Sequence, residues 1–377
     1  MNASTHHQAI FVASTGQHVG KTTVCLGLVS GLRSRFSKVG FMKPVGQELI
    51  ETPTGAHVDK DVALLSDYFH LHSHEEVMSP VLLPRGFTRD YLDGKVHLSH
   101  LKDKIIRSFH RLQTESDVTV IEGTGHCGVG SIVELSNADV AALLNIPVIL
   151  IASGGLGSTF DELTLNYTLC QMRGAKVEGI ILNKVLPDKL EMIRKYMGKA
   201  LKRWNIPLLG CIPYDAFLSN PSMQDFSSLF QAPLLSGEEH LMRHFVHIRL
   251  VATSIEHFTG PITHNQLIIT PSDREDIILA TLAKHWDVKI THSQDDLELG
   301  MILTGTLPPK EEIIQALRKA HIPMLYAPMS SYTVMKKLTS YTAKILKEDR
   351  IKIYEAIELV EKHVDFDMLA KILRKSL

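Results

Sequence analysis

Gly16-Gln17-His18-Val19-Gly20-Lys21-Thr22 reads G-x-x-x-G-K-T, which is one residue shorter than the pattern G-x-x-x-x-G-K-[ST] typical of loops that bind phosphate groups but has the same Gly-Lys-Thr ending. The apolar run at residues 10–13 predicts a buried strand before it, and the apolar spacing of residues 23–36 predicts a helix after it. Such a strand, loop and helix N-terminus direct backbone N–H groups at phosphate oxygens. The sequence therefore predicts a nucleotide-phosphate site here, rather than a glycine turn followed by an unrelated lysine.

Each part of this loop has an expected role. The glycines let the backbone curl around the phosphates, Lys21 reaches the β- and γ-phosphates, and the Thr22 hydroxyl binds Mg²⁺. The residues predicted to bind the nucleotide are the loop itself and the residue behind it: Gly16, Gln17, His18, Val19, Gly20, Lys21, Thr22 and Thr23.

Composition narrows the class of protein. A chain of 377 residues with 44% apolar and 21% charged residues is typical of a globular protein of two or three domains. The formal net charge of -1 does not favour nucleic acid or an anionic membrane as a partner. The longest apolar stretch, residues 140–152, contains Asn145 and Pro147 and is too short to span a bilayer.

The cellular compartment is predicted from the first residues and the cysteines. Residues 1–8 are polar and lack the apolar core of a signal peptide. The four cysteines are widely spaced without a C-x-x-C pair, which indicates reduced thiols in a core. We therefore expect a cytoplasmic protein.

Charged side chains follow the next predicted strand. Lys43 precedes Pro44, which holds it extended, so we expect Lys43 at the carboxyl end of a parallel strand, where α/β sheets bind ligands. A solvated loop lysine is the alternative. Asp59 and Asp61 precede an apolar helix, and either carboxylate is a candidate Mg²⁺ ligand or a favourable charge at a helix N-terminus. The sequence leaves these readings open.

Two further strand ends carry candidate site residues. Residues 117–121 are an apolar strand ending in Glu122 and a glycine, and we expect Glu122 to hold Mg²⁺ or orient a reacting group. An exposed strand-end glutamate is the alternative. Asn183 follows a later strand and offers both an amide donor and an acceptor to a base edge. The alternation of strands and helices predicts an α/β fold with a doubly wound, mostly parallel sheet.

These motifs, together with Gly210-x-Ile212-Pro213, resemble those of dethiobiotin synthetase over about residues 8–215. They also resemble the synthetase-like N-terminal domain of long phosphate acetyltransferases. The resemblance implies a P-loop NTPase-type fold that binds ATP and Mg²⁺. It implies that Thr22, Glu122 and one of Asp59 or Asp61 form the metal site. It further implies that Asn183 contacts adenine and that Lys43 corresponds to the lysine that helps hold the synthetase's carbamate. The sequence departs from the synthetase pattern at Thr124-Gly125-His126.

The second half of the chain begins after a change in composition. We expect domains at 1–215 and 246–345, a linker at 216–245 and C-terminal helices at 346–377. His240, His244 and His247 have the spacing of one helix face, which favours packing over zinc binding because the H-E-x-x-H glutamate is absent.

Residues 266–326 predict a small α/β domain that resembles the DRTGG domain. Asp273-Arg274 and Thr304-Gly305 match its split signature, and Thr306 replaces the last glycine. These residues are candidates for binding an anion or a second subunit, and a local helix cap with an ion pair is the alternative. Long phosphate acetyltransferases resemble this chain in having the two domains in the same order, followed by a catalytic domain that we do not find here.

The leading hypothesis is a nucleotide-dependent regulatory or metabolic-sensing protein that binds ATP and Mg²⁺. We expect it to form a homo-oligomer and to have a further small-molecule ligand or protein partner, which the sequence does not identify. The first alternative is an ATP-dependent ligase acting on a carboxylate or carbamate, with Lys21, Lys43 and Glu122 as the catalytic residues. The second alternative is a scaffold with a vestigial loop. Phosphate acetyltransferase activity is not expected.

Overall fold

The computed structural model describes residues 8–52, 55–71, 74–258, 262–291 and 296–375. These residues form two compact units. The first unit contains the described residues up to Asp215 and those from Ile345 onward, and the second contains Ala216–Lys344.

The strands of the first unit, in chain order, are β1 (Gln8–Ser14), β2 (Val39–Met42), β3 (Val45–Gly46), β4 (Leu49–Glu51), β5 (His57–Asp59), β6 (Val81–Leu82), β7 (Val118–Glu122), β8 (Val148–Ser153), β9 (Val177–Val185) and β10 (Leu208–Pro213). Its helices up to Asp215 are α1 (Lys21–Arg33), α2 (Lys60–Phe69), α3 (Glu75–Met78), α4 (Phe87–Leu92), α5 (Leu98–Glu115), α6 (Asn137–Leu144), α7 (Gly157–Met172) and α8 (Leu190–Leu201).

A six-stranded sheet in the order β10-β9-β8-β1-β7-β2 forms the core of this unit, and every pair in it is parallel. All but the first residue of β1 are buried, as expected for a central parallel strand covered on both faces. The pairing of Val12 with Glu122 brings the carboxyl ends of β1 and β7 side by side. This edge of the sheet therefore holds the loop between β1 and α1.

The second unit contains β11 (Leu234–Ser236), β12 (His247–Leu250), β13 (Gln266–Pro271), β14 (Gly300–Thr304) and β15 (Met324–Ala327). Its helices are α9 (Ala216–Ser219), α10 (Met223–Phe230), α11 (Ile255–Phe258), α12 (Glu275–Thr291), α13 (Glu311–Lys319) and α14 (Ser331–Thr339). The sheet order is β11-β15-β14-β13-β12, with β11 antiparallel to β15 and the other pairs parallel. One core lies against α12 and α13, and the other lies against α10 and α14.

Two expectations for residues 216–250 differ from the structure. The sequence predicts a linker at 216–245, but α10 and β11 lie there because Met223, Phe226 and Phe230 are buried against the sheet. A helix face carrying His240, His244 and His247 is wrong. His240 ends a 3₁₀ turn, and His247 begins β12, where pairing with β13 outweighs helical spacing.

The chain returns to the first unit with α15 (Arg350–His363) and α16 (Phe366–Lys375), which lie within the region where C-terminal helices are expected. These helices pack on α1 through glycines. A Cβ atom at Gly27 would lie 2.2 Å from Val360 Cβ, and one at Gly31 would lie 2.2 Å from Phe366 Cζ. Because Gly27 and Gly31 have no side chains, α15 and α16 can pack directly against the backbone of α1. The C-terminal helices therefore complete the core around α1.

No helix in the described part of the chain has both the length and the apolar character needed to cross a membrane.

Candidate functional site

The loop between β1 and α1 has the backbone that its sequence requires. Gly20 adopts φ 93°, and a Cβ atom there would lie 2.3 Å from the Asn183 Nδ2 atom. Both the left-handed conformation and the close approach therefore require glycine at this position. The helix α1 begins at Lys21, so the unpaired N–H groups of its first turn lie at the loop.

Lys21 reaches across the carboxyl edge of the sheet. Its ammonium donates to Ser14 Oγ at 3.0 Å and to the Gly125 carbonyl oxygen at 2.8 Å. Burial lowers the pKa of Lys21 despite the opposing effect of the Glu122 carboxylate. The lysine is thus a poorly hydrated cation held between the ends of β1 and β7.

The predicted metal ligands Thr22, Asp61 and Glu122 lie together. The Thr22 hydroxyl is 3.1 Å from Glu122 Oε1 and 3.3 Å from Asp61 Oδ1, and it can donate to either. Glu122 Oε2 is buried without a hydrogen-bond partner. One hydroxyl and two carboxylates, with an unsatisfied buried oxygen, are hard oxygen donors that suit Mg²⁺.

The number of protein ligands also suits this ion. The part of the chain that the structure describes contains no group of three or more His, Cys, Asp or Glu residues arranged to hold a metal. Mg²⁺ usually keeps several waters and takes only one or two carboxylates together with substrate phosphates. The residues present therefore fit a magnesium ion that arrives with a nucleotide, rather than one held by the protein alone.

Asp59 has a different environment from Asp61. Its Oδ1 accepts from the Asp61 N–H at 3.0 Å, and its Oδ2 accepts from the N–H groups of Gln47 at 3.0 Å and Glu48 at 3.3 Å. Asp59 is the N-cap of α2 and is 1% exposed. These contacts commit both of its oxygens to the backbone, so Asp61 is the better candidate for the metal.

Lys43 lies between the two aspartates. Its Nζ is 3.0 Å from Asp59 Oδ1 and also contacts Asp61 Oδ2. Burial lowers the pKa of Lys43, but Asp61, Glu122 and Asp59 outweigh this effect and raise its pKa overall. The solvated-lysine alternative does not apply, because Lys43 is buried and paired with carboxylates.

Glu122 is fully buried, and its carboxyl group holds a proton more tightly than usual. Burial and the nearby Asp61 carboxylate raise the pKa of Glu122 to about 8, although Lys43 and Lys21 oppose this shift. A positive ion beside Glu122 favours its charged form.

We expect Glu122→Gln to flatten the pH dependence of stability in metal-free protein. The pKa of Glu122 in the folded protein lies above the ordinary value of 4.5, so the folded state binds this proton more tightly than the unfolded state. The resulting stabilisation is complete below pH 4.5 and is lost as the pH rises through about 8. Melting temperatures measured in EDTA from about pH 5 to 8.5 should fall more in wild type than in the variant, by on the order of 10 °C. Parallel curves would contradict the prediction.

Asn183 lies against the loop. Its Nδ2 donates to the Val19 carbonyl oxygen at 2.8 Å, and its Oδ1 accepts from the Lys184 N–H at 2.9 Å. Lys184 Nζ donates to the His18 carbonyl oxygen at 2.7 Å. The Asn183 amide thus supports the backbone of the loop. The contact between Asn183 and adenine that the resemblance implies stays a prediction.

Sequence reasoning missed two buried asparagines that fix the neighbouring loop. Asn137 Nδ2 donates to the carbonyl oxygens of Thr124 and His126, each at 2.8 Å. Asn166 bonds the Cys127 N–H at 3.2 Å and the Thr15 carbonyl oxygen at 3.2 Å. Both asparagines lie on helices whose other buried positions are mostly apolar, which is the signal that could have identified them.

In the second unit, the DRTGG-like residues lie at strand ends. Arg274 pairs with Asp276 at 2.8 and 2.9 Å and donates to the Thr253 carbonyl oxygen at 3.2 Å. Thr304 Oγ1 lies 2.7 Å from Ser331 Oγ, and Gly305 has φ 112°. Arg274 therefore makes a local ion pair, which is the alternative to anion binding given by the sequence, but its partner is Asp276 rather than Asp273.

Comparison with protein families identifies the domain that contains this site. The family model AAA_26, an AAA domain, matches residues 8–222, more than half of the chain. The chain belongs to the AAA_26 family. A second family model, the DRTGG domain, matches residues 226–341. The AAA_26 domain therefore contains the loop and the whole of the candidate site, and the resemblances drawn from the sequence are confirmed.

The relatives of this AAA_26 protein include phosphate acetyltransferases and a dethiobiotin synthetase. A phosphate acetyltransferase of Pseudomonas putida (strain KT2440) is 30% identical over 372 residues, which cover 95% of this chain and 51% of that protein. The ATP-dependent dethiobiotin synthetase BioD of Xanthomonas axonopodis pv. citri is 28% identical over 208 residues, 55% of this chain and 92% of that protein. The chain thus spans about half the length of the acetyltransferases it matches, in their N-terminal region.

Among solved structures, the MinD cell division protein of Aquifex aeolicus is similar with a TM-score of 0.36 and 13% identity, covering 55% of this chain and 83% of that chain.

Proposed function

We propose that the AAA_26 domain binds ATP with Mg²⁺ at the loop of residues 16–22. The observation that supports this most is the convergence of the Lys21 ammonium, the Thr22 hydroxyl and the Glu122 carboxylate at the carboxyl edge of the sheet. The synthetase relative, ATP-dependent by name, covers this part of the chain. In the proposal, Lys21 and the loop N–H groups bind the β- and γ-phosphates.

The metal is held in this proposal by Thr22, Asp61 and Glu122, and it neutralises charge on the phosphates. Asp59 holds Asp61 in place through the N-cap of α2 and through its ion pair with Lys43. Asn183 keeps the loop in shape beneath the nucleotide.

We further propose that nucleotide binding serves a regulatory or metabolic-sensing role in the cytoplasm. The chain joins the nucleotide domain to a DRTGG domain and corresponds to the N-terminal half of acetyltransferases. In this role the protein acts as a homo-oligomer and responds to a small-molecule or protein partner. Light scattering should detect a dimer or larger assembly with or without MgATP.

A second candidate function is ATP-dependent ligation of a carboxylate or carbamate. The position of Lys43, next to Asp61 and one residue beyond β2, favours it, because this lysine lies at the strand edge where a second substrate would meet the nucleotide. The similarity to dethiobiotin synthetase supports the same chemistry.

Calorimetric titration with MgATP, followed by an ADP-release assay on the same samples, tests the proposal. Binding with negligible turnover supports the sensing role. Turnover that rises when amines and carboxylates are added supports the ligase. A wild-type protein that does not bind MgATP overturns both and favours a scaffold with a vestigial loop.

Asp61→Asn and Asp59→Asn should have different effects. We expect Asp61→Asn to weaken MgATP binding by about tenfold and to reduce its dependence on Mg²⁺, because a ligand charge is lost. Asp59→Asn should instead lower stability, by about 1–3 kcal/mol, since it disturbs a buried cap and an ion pair. Titrations at several Mg²⁺ concentrations and thermal melts measure the two effects, and equal loss of metal dependence in both variants would contradict the assignment.

A further inference from the structure

Lys43 and the candidate metal site share one carboxylate. Asp61 Oδ1 lies 3.3 Å from the Thr22 hydroxyl, and Asp61 Oδ2 contacts the Lys43 ammonium. We propose that Lys43 is a built-in counter-cation for Asp61 and releases this carboxylate when a divalent cation binds beside Thr22. This inference rests on the proposed function, which places Mg²⁺ among Thr22, Asp61 and Glu122.

Burial makes the counter-cation necessary. The side chain of Lys43 is 8% exposed, and those of Asp59 and Asp61 are 1% and 21% exposed. Charges removed from water are strongly unfavourable unless they are paired. Without a metal, Glu122, with its raised pKa, keeps its proton up to about pH 8, so the charged carboxylates of Asp59 and Asp61 are balanced by the ammonium groups of Lys43 and Lys21. Asp61, the carboxylate shared with Thr22, therefore already has Lys43 as its partner.

A divalent cation changes this balance. It attracts Asp61 and repels the Lys43 ammonium across a few ångströms of poorly solvated space, where Coulomb interactions are strong. Lys43 keeps Asp59 as a partner, because Asp59 is fixed by Gln47 and Glu48. The lysine therefore loses one carboxylate and stays anchored to the other.

The exchange has a functional consequence. An ammonium with one carboxylate partner fewer has N–H donors available for another anion. The position of Lys43, one residue beyond β2, directs them at the edge of the sheet where a second ligand would bind. A small ligand with a carboxylate-like group would then bind well only after the metal and nucleotide, which gives an ordered sequence of binding.

Mn²⁺ binding to nucleotide-free protein tests this exchange, with free Mn²⁺ measured by electron paramagnetic resonance. We expect Lys43→Met to bind Mn²⁺ about tenfold more tightly than wild type, because the competing charge is gone. The matched control is Lys95→Met. Lys95 also lies between two aspartates, 2.8 Å from Asp90 and 3.6 Å from Asp93, but on the exposed surface, so its removal should change nothing.

Unchanged, weaker or undetectable Mn²⁺ binding in folded Lys43→Met overturns the inference. A second measurement uses only wild type and does not depend on the folding of the variant. Reductive methylation followed by mass spectrometry should modify Lys43 at least fivefold faster with saturating Mn²⁺ than with EDTA, while Lys95 reacts equally in both. A Lys43 rate that does not respond to Mn²⁺ also overturns the inference.

These experiments contain no nucleotide, so their outcome is separate from that of the proposed function. If Lys43→Met binds Mn²⁺ more tightly than wild type but the protein does not bind ATP, the exchange is supported and the proposed nucleotide binding is overturned. The opposite pair of results would leave ATP binding in place and remove Lys43 from metal control.

Discussion

Lys21→Ala is expected to weaken MgATP binding by at least about 100-fold, which corresponds to about 2.7 kcal/mol. The Lys21 ammonium is held at the carboxyl edge of the sheet by Ser14 and Gly125, and burial makes it a poorly hydrated cation. Charge-assisted hydrogen bonds from such a group to phosphate are about twice as strong as neutral ones. Isothermal titration calorimetry of wild type and variant measures the loss directly.

Two controls separate this effect from damage to the fold. Lys95→Ala removes an exposed lysine of the same unit and should bind MgATP like wild type. The melting temperature of Lys21→Ala without nucleotide should stay within a few degrees of wild type, since the lysine makes two hydrogen bonds within the described part of the chain, each with a modest net contribution. Binding by Lys21→Ala within about threefold of wild type would contradict the proposed role of the loop.

Removing residues 345–377 is expected to abolish the cooperative unfolding of the first unit. The two C-terminal helices bury several apolar side chains there, and each contributes about 1.5–3 kcal/mol relative to exposure. The residues concerned include Ile353, Val360, Leu369 and Leu373, all 0% exposed. The sum of these contributions exceeds the marginal stability of a typical domain. Differential scanning calorimetry of the full and shortened chains provides the test, and a shortened chain that melts like the full one would refute it.

A point substitution tests the same packing more gently. Gly31→Ala places a Cβ atom 2.2 Å from Phe366 Cζ, and we expect it to lower stability by about 1–3 kcal/mol through overpacking. Gly198→Ala is the matched control, because Gly198 lies within α8 and nothing is within 4 Å of its added Cβ atom. That variant should be neutral or more stable, by up to about 1 kcal/mol.

Local signals in the sequence predicted the parts of the site that depend on local chemistry. The glycines and lysine of the loop, together with the strand ending in Glu122, were sufficient to predict that the loop and this carboxylate meet at one edge of the sheet. The predicted alternation of strands and helices is also observed, and α6 begins at a local signal, the capping box of Ser136 and Asp139.

Contacts between distant residues could not be predicted in this way. The sequence left Asp59 and Asp61 equivalent, and the structure distinguishes them because the backbone N–H groups of Gln47 and Glu48 donate to Asp59. The sequence predicted C-terminal helices at 346–377, but it did not indicate that they pack on α1, because Gly27 and Gly31 have no apolar side chains that would mark a contact surface.

The C-terminal helices also bear on how the protein is made. Arg35, which follows α1, pairs with Asp367 of α16 across 332 residues of sequence. During translation α1 leaves the ribosome long before α15 and α16 exist, so its glycine face stays uncovered while the second unit is synthesised. Contacts at such long sequence separation form slowly and expose apolar surface in the interval. A nascent chain arrested before residue 350 should therefore depend on chaperones until α15 and α16 are synthesised.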